Sequence, residues 1–120
     1  MAKYRILCLD GGGLRGLITA RLLARLNTHP QVAGWLSTVD LFAGTSTGGI
    51  LALGLACGKT PEEICTVYKE RGGVIFDDSI WDNLRDLGKT VGADYSSKGL
   101  KAELKAVFGD LKLRDIPRKV

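Results

Sequence analysis

The sequence predicts an α/β fold of three layers, α/β/α, with helices on both faces of a mainly parallel sheet. Two short apolar runs, Tyr4–Leu9 and Val39–Ala43, each end in a glycine-rich turn. Each turn opens into a segment of helical character. The order strand, glycine loop, helix, strand, tight turn, helix is the rhythm of parallel βαβ units, whose crossovers place helices on the sheet faces.

Each element has its own signal. Tyr4–Leu9 reads as a buried strand, apolar and stopped by Asp10 and three glycines. From Leu14 to Asn27, Ile18, Leu22 and Leu26 recur every four positions beside Leu17 and Leu23, which predicts an amphipathic helix buried along that stripe. Arg21 and Arg25 mark its polar side, and Asn27-Thr28-His29-Pro30 ends it. Val39–Ala43 is the second strand, Gly44-Thr45-Ser46 the turn, and Thr47–Cys57 a helix apolar or small all round, hence buried, with Gly58 as its stop. Thr60-Pro61-Glu62-Glu63 is a helix start, with a capping threonine, proline at the first position and acids in the first turn. That helix is expected to reach Arg71 before Gly72-Gly73. Shorter signals place helices over Trp81–Leu87 and Lys98–Phe108, and Leu111–Val120 reads as the approach to a strand. Two strands are too few for a complete sheet. We therefore expect residues 1–120 to be the N-terminal part of a longer domain.

Composition narrows the function classes. Hydrophobic residues make up 45% and charged residues 25%, as in a soluble globular protein rather than a disordered one. The longest apolar run, Ile50–Cys57, is far short of the roughly 20 residues that span a bilayer. The net charge of +4 favours an anionic membrane surface as a peripheral contact, whereas the scattered cations with few aromatics between them argue against nucleic acid. Cys8, Cys57 and Cys65 are odd in number and show no C-x-x-C spacing, so buried, reduced thiols and a cytoplasmic setting are expected. No His, Cys, Asp and Glu set has metal-ligand spacing, and neither a metal nor a cofactor is expected.

Two glycine motifs carry the chemistry. Gly44-Thr45-Ser46-Thr47-Gly48, followed by Gly49, matches G-x-S-x-G between a strand and a helix. A sharp corner there holds a serine hydroxyl at a helix N-terminus, where amides and the macrodipole favour developing negative charge. The plain alternative makes Ser46 an ordinary helix cap. Asp10-Gly11-Gly12-Gly13-Leu14-Arg15-Gly16 also follows a strand and opens a helix, and consecutive glycines offer bare backbone N–H groups to an oxyanion or a phosphate. Gly11, Gly13 and Gly16 also satisfy the dinucleotide fingerprint G-x-G-x-x-G. Against that reading, no acid stands at the end of the second strand, and the Ser46 corner is left unexplained. An acyl-transfer reading uses both motifs: Ser46 attacks an ester carbonyl while amides near Gly12 and Gly13 hold the oxyanion. A third reading is a non-catalytic assembly fragment.

A serine nucleophile needs a base. The single histidine, His29, precedes Ser46 in a His-Pro turn, and α/β-hydrolases place theirs after the serine. A serine–aspartate dyad fits better.

DGGGLRG followed about thirty residues later by GTSTGG resembles the patatin-like phospholipases, which include the calcium-independent phospholipases A2. The likeness is close over about the first sixty residues and looser beyond. It implies a patatin-like fold and hydrolysis of a lipid ester without calcium. It also implies Ser46 as nucleophile and an oxyanion hole from Gly11, Gly12 and Gly13, with Arg15 in the same loop and Thr47 lending its amide. Asp10, Leu14, Gly16, Gly44, Thr45, Gly48 and Gly49 are the supporting motif positions. One departure stands out. The family's catalytic aspartate lies in a D-G-[AG] motif, and none of Asp77, Asp78, Asp82, Asp86, Asp94, Asp110 and Asp115 precedes a glycine. The base is therefore expected from the missing C-terminal half of the domain. Trp35 and Trp81 are read as packing residues before membrane anchors, Glu62-Glu63 as a helix-start pair and Asp77-Asp78 as a solvated turn.

Overall fold

A computed structural model describes residues 3–76 and 94–120, with side chains from Leu100 onward in the second stretch. Strand β1 (Ile6–Leu9) pairs in parallel with β2 (Leu41–Gly44), Ile6 opposite Leu41 and Leu9 opposite Gly44. The ladder runs one bond further, from Thr45 N–H to the Leu9 carbonyl at 3.2 Å. Both strands therefore stop at the same level, and the two glycine segments leave the sheet side by side at its carboxyl end, the usual ligand edge of a parallel sheet. On its other edge β2 meets Lys119, which forms a parallel bridge to Leu41 and accepts the Phe42 N–H at 3.0 Å. The expected strand approach over 111–120 is realised there.

Helices α1 (Gly16–Thr28), α2 (Thr47–Ala56), α3 (Pro61–Ile75) and α4 (Asp94–Phe108) complete the described chain. This small parallel sheet with its helices is the α/β class read from the sequence. α2 is mostly buried, with Leu51, Ala52 and Ala56 fully enclosed beside Phe42 of β2 and Gly49, Ile50 and Leu53 half-buried. Gly58 ends it at φ 86°, with its N–H bonded to Leu55 and that of Lys59 to Gly54. At the start of α3 the capping box is complete. Thr60 Oγ1 accepts the Glu63 N–H at 3.2 Å, and Glu63 accepts the Thr60 N–H at 2.7 Å. Those bonds hold the Glu63 carboxyl below its ordinary range. Arg118 reaches the carbonyls of Leu36, Ser37 and Val39 and lies over the Phe42 ring, which fixes the entry into β2.

Four expectations need correction. The buried face of α1 is not the Ile18-Leu22-Leu26 stripe: Ile18 is 70% exposed and Leu22 56%, whereas Gly16, Ala20 and Leu23 are buried. α1 packs against α3, and at Gly16 a Cβ would meet the Tyr68 hydroxyl of α3 at 2.6 Å. α3 does not stop at Arg71 but runs through Gly72-Gly73 to Ile75. Gly72 lies buried against Leu14, whose Cδ1 would stand 2.8 Å from a Cβ at that position. β1 is not a buried strand throughout, because Ile6 and Cys8 are exposed and only Leu9 is enclosed. Nor are all the thiols buried: Cys65 is enclosed, Cys57 half-buried and Cys8 exposed. Burial raises the thiol pKa of both Cys57 and Cys65. Trp35 packs against the core as read, in a one-turn 3-10 helix over Trp35–Thr38. The readings of Trp81–Leu87 and Asp77-Asp78 lie outside the described residues.

Candidate active site

Ser46 stands at the corner between β2 and α2 with φ 54° and ψ −124°. Among the described residues it alone, glycine apart, has positive φ. Such a conformation costs on the order of 1–3 kcal/mol and persists only where the surroundings impose it. They impose it here through close backbone contacts. A Cβ on Gly44 would lie 2.2 Å from the Gly48 carbonyl oxygen, and one on Gly48 would lie 2.1 Å from that of Leu9. Both flanking glycines are thus needed for the corner to fold down onto β1.

The corner leaves Ser46 exposed, and its side chain makes no capping bond. The ordinary-cap reading of Ser46 therefore fails. Across from it is the loop after β1: a Cβ on Gly11 would stand 2.9 Å from Ser46 Cβ, so the absent side chain keeps the serine unobstructed. The two motifs read from the sequence meet in space.

The amides around the serine differ in availability. Those of Gly48, Gly49 and Ile50 are bonded to the carbonyls of Thr45 and Ser46. Thr47, the first residue of α2, has no carbonyl a turn earlier to receive its N–H. Gly11 was expected among the donors, yet its N–H is engaged by Thr45 Oγ1 at 3.2 Å. Its contribution is closeness, and the Thr45 side chain ties loop to corner. Gly13, at φ 57°, begins the 3-10 turn Gly13–Arg15. Arg15 folds back on this loop, with its backbone N–H at 3.2 Å and its Nε at 3.4 Å from the Gly12 carbonyl oxygen. Because N–H and C=O of a trans peptide point in opposite directions, holding the Gly12 carbonyl aims the Gly13 N–H away from Arg15. Asp10, Gly11, Leu14 and Arg15 are exposed at the same edge.

Behind Ser46 lies a buried pair that the sequence did not reveal. The hydroxyls of Thr47 and Tyr68 are in short hydrogen-bond contact, and the Tyr68 hydroxyl also donates to the Thr47 carbonyl at 3.2 Å. Thr47 is fully enclosed and Tyr68 nearly so, with its ring stacked on Phe76. Gly16 owes its identity to this pair, since a Cβ there would meet the Tyr68 hydroxyl at 2.6 Å and Thr47 Oγ1 at 2.7 Å. Burial raises the Tyr68 phenol pKa, only partly opposed by the Thr47 bond, so it stays protonated at neutral pH. His29 lies in an exposed turn, as expected. Among the described residues no group of three or more His, Cys, Asp or Glu could hold a metal ion, and no helix is long and apolar enough to cross a membrane.

Fold and corner together define the class, an α/β protein whose exposed serine sits on a strand–helix elbow beside a glycine loop. The chain belongs to the patatin-like phospholipase family, whose profile matches residues 7–120. It is 40% identical to a cGAMP-activated phospholipase of Pseudomonas aeruginosa over 98% of this chain and 34% of the relative. It is 36% identical to one of Vibrio cholerae over 93% of this chain and 36% of the relative. With the 85/88 kDa calcium-independent phospholipase A2 of Rattus norvegicus it shares 35% identity over 94% of this chain and 12% of the relative. The chain thus spans about a third of the length of the bacterial relatives. No solved structure matches it.

Proposed function

We propose that this chain carries the nucleophile and the oxyanion hole of a lipid acyl hydrolase that cleaves phospholipid esters. The observation that carries the reading is the strained, exposed backbone of Ser46, backed against Gly11 at the carboxyl end of the sheet. Ser46 Oγ attacks the ester carbonyl carbon and passes its proton to a base. The charge that builds on the carbonyl oxygen is met by the N–H groups of Gly12, Gly13 and Thr47 and by the positive end of α2. Collapse expels the alcohol with a proton and leaves an acyl-enzyme, which water cleaves by the same route. Gly11 contributes through its missing side chain and Arg15 by orienting the Gly12–Gly13 peptide. The base is an aspartate from outside residues 1–120, because none after Ser46 sits in a D-G-[AG] motif. The family match leaves the dinucleotide reading of Gly11–Gly16 without support.

The substrate class follows from the relatives, which are named phospholipases. The reading places the protein in the cytoplasm, meeting lipid at a membrane surface, where a net charge of +4 favours anionic headgroups. No step calls for calcium, since backbone amides supply the electrostatic stabilisation. The test is fatty-acid release from phosphatidylcholine–phosphatidylglycerol vesicles in EDTA by protein that includes the aspartate-bearing half of the domain. cGAMP is titrated because bacterial relatives carry it in their names. Release that persists in EDTA and is lost in Ser46→Ala is expected. Release that survives the substitution, or that requires calcium, contradicts the reading.

A further inference from the structure

We infer that Tyr68 is a positioning residue for the acyl-transfer step: its hydroxyl seats Thr47 and so sets where the Thr47 amide stands relative to the developing oxyanion. The inference rests on the proposed role of Ser46 and adds a residue from a third element, α3, distant in sequence from both glycine motifs.

Proton counting sets the direction of the bonds. Each hydroxyl has one proton. Tyr68 donates its own to the Thr47 carbonyl, so the short hydroxyl contact is completed by the Thr47 proton. Thr47 is thereby held at two atoms of one residue, Oγ1 and the carbonyl oxygen, by a single fully formed acceptor–donor group. Rotation about its χ1 and ψ is restricted together, which seats the residue against α3, while the plane of its N–H is held from the other side by the Ser46 carbonyl, which accepts the Gly49 N–H at 2.9 Å. Tyr68 in turn cannot retreat, since its ring is buried and stacked on Phe76 at 4.9 Å between centroids. Gly16, at the end of the glycine loop, closes over the pair without a side chain. Loop, nucleophile helix and α3 are therefore registered at one buried contact directly behind the serine. Oxyanion donors act through preorganisation, and a donor free to tilt loses part of its effect on the transition state while ground-state binding is unchanged.

The experiment compares Tyr68→Phe, Thr47→Val, the double variant and Thr60→Ala in the protein, with a short-chain p-nitrophenyl ester and a fluorophosphonate. Thr60→Ala removes the cap of α3 and lowers the Tm without touching the pair. Tyr68→Phe is expected to lower kcat and the fluorophosphonate labelling rate about tenfold or more, with KM within about twofold. Thr60→Ala is expected to stay within about twofold of the parent despite its lower Tm. Thr47→Val breaks the hydroxyl contact but leaves the bond to the Thr47 carbonyl, serves if Tyr68→Phe does not fold, and is expected to lower kcat by more than Thr60→Ala and by no more than Tyr68→Phe. The double variant should lose no more than Tyr68→Phe, which already removes both bonds. An active parent whose kcat is unmoved by both Tyr68→Phe and Thr47→Val, or moved no more than by Thr60→Ala, overturns the inference alone. A parent that includes the aspartate-bearing half of the domain and neither labels nor hydrolyses ester overturns the reading of Ser46 and this inference with it.

Discussion

A Gly48→Ala protein is expected to lose more than about 3 kcal/mol of stability, enough to melt most single domains near physiological temperature. The added carbon would sit 2.1 Å from the Leu9 carbonyl oxygen, 2.7 Å from its carbon and 2.8 Å from the Asp10 oxygen. All three are backbone atoms of β1 and its exit, with no flexible side-chain end to move aside. Relief requires lifting α2 off the sheet, which would expose Leu51 and Ala52 and separate Ser46 from the glycine loop. Thermal unfolding by circular dichroism checks it. Gly58→Ala is the comparison, because a Cβ at Gly58 meets no atom within 4 Å and only its φ of 86° opposes substitution, at a cost of about 1 kcal/mol. Equal losses for the two would mean that α2 is not seated on β1 as described.

The second large effect joins stability to activity at one position. Ser46→Gly is expected to raise stability by about 1 kcal/mol over Ser46→Ala, because glycine adopts positive φ without the steric cost that alanine retains. Both are expected to lower ester hydrolysis by more than about 10⁴-fold, as removal of a covalent nucleophile does. An ordinary surface serine would give neither result. Denaturant melts of the two variants beside the parent, with hydrolysis rates, decide the matter.

How much of this was legible in the sequence depends on how local each signal is. The two strands, the turn at Ser46 and the helix start at Thr60 rest on neighbouring residues, and the structure shows them within a residue or two of their expected limits. The meeting of the two glycine motifs was also readable, because parallel strands that end in register must deliver their loops to one edge. The burial of α1 was not. Periodicity marks where large apolar residues lie, yet Gly16 and Ala20 set how closely α1 approaches α3, and that leaves Ile18 and Leu22 outside. Gly72 misled because in sequence it resembles a helix stop, whereas it lies inside α3, buried against Leu14 from another element. The engagement of the Gly11 amide by Thr45 and the Thr47–Tyr68 pair join residues far apart in the chain. No spacing rule announces them, since they exist only once three elements are packed.

The most direct measurement of the central claim is the location of a fluorophosphonate adduct by mass spectrometry of the digested protein. The account predicts one covalent adduct, on the peptide containing Ser46 and absent from Ser46→Ala. An adduct on any other residue, or no adduct in a protein that hydrolyses phospholipid, would contradict it.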